Sequence, residues 1–115
     1  MVLDRFEAVL SFDEFVRVWE RILRRSLVIV SSCRDVEDKD VLVGKKVECT
    51  YTIMVAWARS VFGQVFGREP VTVKYVVTSY NGGLGDTVSF TVVGGFRGVR
   101  AVKKIIGEVL GEVND

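Results

Sequence analysis

The side chains able to do chemistry are few, and none of them is a histidine. Without imidazole the chain lacks the usual general base at neutral pH, the commonest metal ligand and every Ser–His or Cys–His nucleophile pair. Three carboxylates, Glu37, Asp38 and Asp40, stand close enough in sequence for an acid–base pair or a weak cation site. Their setting, a short charged stretch, reads better as a solvated turn. Cys33 and Cys49 form no CxxC motif, so a zinc site is not expected. They read as two buried thiols in a reducing cytosol, with a disulfide as the alternative. The run Val93-Gly94-Gly95-Phe96-Arg97-Gly98 could offer backbone N–H groups to a phosphate at a helix start. It fits neither a Walker A loop nor a dinucleotide fingerprint. The glycines read instead as the means by which a helix folds tightly back over a sheet.

Composition narrows the field further. The 115 residues suit one domain, 1–115, and a hydrophobic fraction of 49% supplies a core without stapling by metal or disulfide. Sixteen basic and fifteen acidic residues leave a net charge of +1, so no global field attracts nucleic acid or an anionic membrane. Basic residues cluster locally, at Arg17, Arg21, Arg24 and Arg25, and again at Arg97, Arg100, Lys103 and Lys104. Asp13, Glu14 and Glu20 dilute the first cluster, and no aromatic platform is interleaved there. A nucleic-acid partner is therefore not expected. Asp4, Arg5 and Glu7 break the opening apolar stretch, which argues against a signal peptide. The longest strictly apolar run, Ile53 to Ala58, is too short to span a bilayer. A cytoplasmic location is expected. One Gln and two Asn beside frequent Val, Arg and Glu suggest a thermophilic source.

Hydropathy patterning supplies the elements. Val2–Leu10 alternates as a half-buried strand, and Ser11 stands three residues before Glu14, the spacing of a capping box. Phe12, Phe15, Val16, Trp19, Ile22 and Leu23 then follow at helical spacing, predicting a helix from about Phe12 to Arg25. Leu27–Arg34 is a strand, and Gly44-Lys45-Lys46 is a bulge or tight turn. Val47, Cys49, Tyr51, Ile53, Val55 and Trp57 share one face of a long strand. Pro70 marks the entry to a strand over Val71–Tyr80; Asn81–Asp86 is a hairpin loop; Thr87–Val93 alternates again. Val99, Val102, Ile105, Ile106, Val109, Leu110 and Val113 form the stripe of a closing helix. The expected fold is α+β, a curved antiparallel sheet gripping a long C-terminal helix, in the order strand, helix, strands, helix.

This order resembles the START/Bet v1-like (helix-grip, SRPBCC) superfamily, including its small archaeal members. The residues that carry the resemblance are the strand Val2–Leu10 running into Ser11-Phe12-Asp13-Glu14-Phe15, the sheet segment Val71–Val93, and the helix Val99–Val113. The resemblance implies a non-catalytic carrier of lipids or other apolar small molecules. From the residues themselves, Tyr51, Trp57, Tyr75 and Phe90 are expected to face Val102 and Ile106 across a ligand pocket. Arg59 follows a dry segment and is a candidate polar contact. No catalytic residue, metal or cofactor is expected. The alternative is an interaction or dimerisation module without a cavity, docking through a strand edge or the apolar Val61–Phe66 segment.

Overall fold

The computed structural model describes residues 3–36, 43–59, 62, 65–80 and 85–114. In chain order the elements are β1 (Leu3–Ser11), α1 (Phe12–Arg24), β2 (Ser26–Val36), β3 (Val43–Arg59), β4 (Val65–Tyr80), β5 (Thr87–Gly95) and α2 (Phe96–Asn114). All strand pairs are antiparallel and form one five-stranded sheet in the order β1-β5-β4-β3-β2. The class is α+β, with a strand, a helix, a run of strands and a closing helix packed on the sheet. Because β1 and β2 lie at opposite edges, α1 must carry the chain across the whole sheet.

Both helices cover the same face. Phe15, Val18, Trp19 and Ile22 of α1 meet Val99, Val102, Ile105, Ile106 and Val109 of α2 over the inward residues of β3, β4 and β5 in one apolar core. The helix starts reflect local chemistry. Ser11 Oγ accepts from Glu14 N at 3.2 Å while Glu14 Oε1 accepts from Ser11 N at 2.9 Å, the expected capping box. Phe96 enters α2 directly after Gly95, and Glu69 of β4 accepts from the Gly98 N–H at 2.6 Å. A Cβ on Gly95 would overlap the Glu69 carboxylate, so glycine there is what lets an acid side chain reach the helix start. That carboxylate occupies the N–H a phosphate would have used, in keeping with the structural reading of this glycine run.

Three expectations need correction. Cys33 and Cys49 are joined by a disulfide and are not free thiols. The β2–β3 register places them directly opposite each other, with Cα atoms 4.1 Å apart. Sequence spacing alone could not supply that register. Pro70 does not open a strand: β4 starts at Val65, and Pro70 stands opposite Met54 within it. Pairing of β4 with β5 begins only at Val71, so the residue without an N–H sits at a ladder end. Trp57 leaves the face it was expected to share, because β3 is bulged there: Ala56 pairs with Arg68 and Ala58 with Gly67, leaving Trp57 without an opposite residue. The expected bulge near Gly44 is present, between Val43 and Lys45. The carboxylates Glu37, Asp38 and Asp40 lie outside the described residues, as do Val61 and the Asn81–Leu84 part of the hairpin loop.

Candidate functional site

Tyr51, Tyr75 and Phe90 are brought together on the helix-covered face, but α1 fills the space over them. Phe15 lies 4.6 Å from Tyr75 and 6.1 Å from Phe90, centroid to centroid; Trp19 lies 4.8 Å from Tyr51 and 5.5 Å from Tyr75. Phe90 and Val102 are fully buried and Ile106 nearly so. Burial, and then the Tyr51 hydroxyl, push the Tyr75 phenol well above its ordinary pKa. It stays neutral and acts as a packed core group with a satisfied hydroxyl. Arg59 ends β3, and its side chain lies outside what is described. Of the expected pocket residues, Trp57 lines an open groove.

That groove is built from the β3 bulge and the first half of α2. It has a volume of about 670 Å³ and is lined by Trp57, Phe96, Arg97, Arg100, Ala101, Lys103 and Lys104. The bulge turns the indole out of the core to 38% exposure, and Gly67 of β4 provides the surface it lies on. A Cβ at Gly67 would come within 2.6 Å of the ring. On the indole, Arg97 sits with its guanidinium carbon 4.3 Å from the ring centroid. Arg100 is 5.5 Å from the centre of the Phe96 ring, and the Lys103 ammonium is 5.3 Å from that of Phe6. Such cation–π contacts hold the cations over apolar surface without neutralising them.

Charge is what sets the groove apart. Four cations project from two turns of α2, and among the described residues no carboxylate lines the groove and none of the four makes an ion pair. The nearest acid on the helix is Glu108, engaged by Arg25 at 3.6 Å. These two residues line an adjoining groove of about 350 Å³ that shares Trp57, Ala101 and Lys104 with the first. On the uncovered sheet face, by contrast, Glu48 receives Lys74 and Arg34, each at 2.6 Å. The Lys74 hydrogen bond, then that of Arg34, hold the Glu48 carboxyl below the ordinary glutamate range.

The basic run of α2 was visible in the sequence; its junction with Trp57 was not. Phe96, Arg100, Lys103 and Lys104 join the site only because an unpaired bulge residue faces them. Chemically, the arrangement can hold a negative head on guanidinium and ammonium groups and a flat or apolar body on indole, phenyl and methyl surface. Among the described residues no three His, Cys, Asp or Glu side chains gather as a metal site, and no helix is long and apolar enough to cross a membrane. No family model matches the chain, and neither a curated protein nor a solved structure matches it.

Proposed function

We propose that this domain is a non-catalytic binding protein for an amphiphilic organic anion, a carboxylate, sulfonate or phosphate with an apolar or aromatic body. One observation carries the reading: four cations that have no carboxylate partner among the described residues surround two exposed rings in a groove of about 670 Å³. That volume falls in the range of small-molecule sites. The charge placement supports it further. Alpha-helical termini favour acids first and bases last, each worth about 0.3–1 kcal/mol. α1 obeys, with Asp13 and Glu14 in its first turn and Arg21 and Arg24 in its last. α2 has no acid in its first turn and no base in its last, while Arg97 and Arg100 crowd its start. Cations set against the dipole of their own helix serve a ligand better than they serve the fold.

The helix-grip resemblance is compatible with this reading: β1 lies beside the last strand, and the closing helix runs from that strand across the sheet. The ligand position differs from the one first expected, lying on the flank of α2 and not beneath it, because Phe15 and Trp19 fill the space beneath. A cytoplasmic location fits a thermophilic source, in which intracellular disulfides persist.

The test uses 1-anilinonaphthalene-8-sulfonate, a sulfonate on an aromatic body, with decanoate as competitor. Saturable fluorescence enhancement is expected, displaced by decanoate. The Arg100→Gln/Lys104→Gln variant should weaken it about tenfold, the loss of roughly 1.4 kcal/mol of charge-assisted contact. Equal binding by that variant sinks the reading. So does a single-stranded oligonucleotide that binds with steep salt dependence while the sulfonate does not bind.

A further inference from the structure

A nearby acid shares the helix of the four groove cations. Glu108 stands four residues after Lys104 on α2, a spacing at which side chains on one face of a helix meet. Lys104 lines both grooves, and Glu108 lines the smaller one beside it. Bound to that ammonium, the carboxylate would cancel one of the charges offered to a ligand. Yet among the described residues Lys104 makes no ion pair. Glu108 is turned to α1 instead, with Oε2 3.6 Å from Arg25 Nη2.

Arg25 can hold the carboxylate because its own backbone is fixed on two sides. It caps the C-terminus of α1, its N–H donating to Ile22 O at 3.1 Å, and its carbonyl accepts from Ala56 N at 3.0 Å. Ala56 directly precedes Trp57, where β3 bulges. One residue therefore meets both walls of the site. Its carbonyl holds the strand that presents the indole, and its guanidinium holds the acid of the facing helix. Both side chains are little more than a third exposed, so solvent screens the pair less than an open surface contact. Along α2 the lysine precedes the glutamate, the weaker order for such a pair, so an arginine from outside the helix competes well.

We infer that Arg25 is a positioning residue for the anion site: it draws Glu108 away from Lys104 and so leaves that ammonium to the ligand. The inference rests on the anion-binding reading and adds to it a residue that does not line the main groove. Its effect is exerted through Glu108. Without the guanidinium, Glu108 turns back one helical turn to Lys104 and sets a carboxylate against the incoming anion. Two unit charges about 4 Å apart in water interact strongly enough to change affinity about fivefold.

Two readouts on the full chain test this. Carbodiimide joins an amine to a carboxylate in contact, with loss of water, and peptide mass spectrometry locates the amide. In the ligand-free protein Arg25→Gln should raise the Lys104–Glu108 cross-link severalfold, whereas Arg25→Lys should divert the cross-link to position 25. In the 1-anilinonaphthalene-8-sulfonate titration Arg25→Gln should weaken binding about fivefold, and Arg25→Gln/Glu108→Gln should return it to within about twofold of the wild type. A group that merely supported the fold would not be rescued by removing its partner. A Lys104–Glu108 yield that Arg25→Gln leaves unchanged overturns the proposal, as does a double variant that binds as weakly as Arg25→Gln alone. A wild-type chain that ignores the sulfonate sinks the anion-binding reading instead, and the cross-link then decides alone whether Arg25 restrains Glu108.

Discussion

Reducing the Cys33–Cys49 disulfide should cost the domain about 3 kcal/mol. The bond closes a loop across a sequence separation of 16, and the chain-entropy relation assigns a loop of that length roughly 3 kcal/mol at 25 °C. Little in the folded state offsets the loss. β2 is exposed along nearly its whole length, so its outer half is held by the β3 ladder and this one cross-link. The bond stands within reach of reductant, because Cys33 is exposed although Cys49 is buried. For a domain of 115 residues each kcal/mol moves the melting temperature by about 4 °C, so reduction should lower it by roughly 12 °C. Guanidinium denaturation of oxidised and phosphine-reduced protein, followed by far-UV circular dichroism, measures the difference without any mutation. The slope against denaturant should rise on reduction, because the freed unfolded chain exposes more surface. A difference below about 1 kcal/mol with an unchanged slope would falsify the argument, since the loop would then not constrain the unfolded chain.

Two further outcomes follow from individual residues. The Glu48 carboxyl titrates below its unfolded value, so its contribution to stability is complete above the ordinary carboxylate range and is lost as pH falls through the folded value. Glu48→Gln should flatten the acid limb of the stability–pH profile, and an unaltered limb would show that Lys74 and Arg34 do not act through this group. Gly67→Ala sets a methyl group against the Trp57 ring, and a half-exposed ring can swing away at a cost of about 1 kcal/mol or less. Sulfonate affinity should fall about tenfold with a small change in melting temperature; retained affinity would remove Trp57 from the site.

The parts of the fold legible in the sequence were those written in periodicity. The stripe Phe12, Phe15, Val16, Trp19, Ile22 and Leu23 and the Ser11–Glu14 box announce α1 to within a residue, although Phe12 is exposed and the buried Val18 stands outside that stripe. The alternation through Cys49, Tyr51, Ile53 and Val55 identifies the covered face of β3. A single inserted residue defeats that kind of reasoning. Trp57 obeys the alternation of the residues before it, yet the bulge between Ala56 and Ala58 takes it out of the pattern and makes it the wall of a groove. The disulfide was hidden for a related reason, since cross-strand register depends on a bulge at Ile29 that no local propensity marks. Nor could composition reveal the site. A net charge of +1 averages a paired surface, such as Arg34, Glu48 and Lys74, with the cations of α2, which have no ion-pair partner among the described residues.

The contrast between the two helices bears most directly on function. Glu69 already gives the start of α2 the negative charge a helix N-terminus favours, through its bond to the Gly98 N–H. The fold thus meets the electrostatic need of this helix with a residue from another strand. Arg97 and Arg100 then add positive charge to the same end, where each opposes the dipole. Stability alone would place acids on these exposed positions, as it does at Asp13 and Glu14 of α1. The cations are instead held over Trp57 and Phe96, rings that leave their charge available. A surface arranged this way gains its missing partner when an anion enters the groove, and the charges that strain the free helix become the contacts of the bound one.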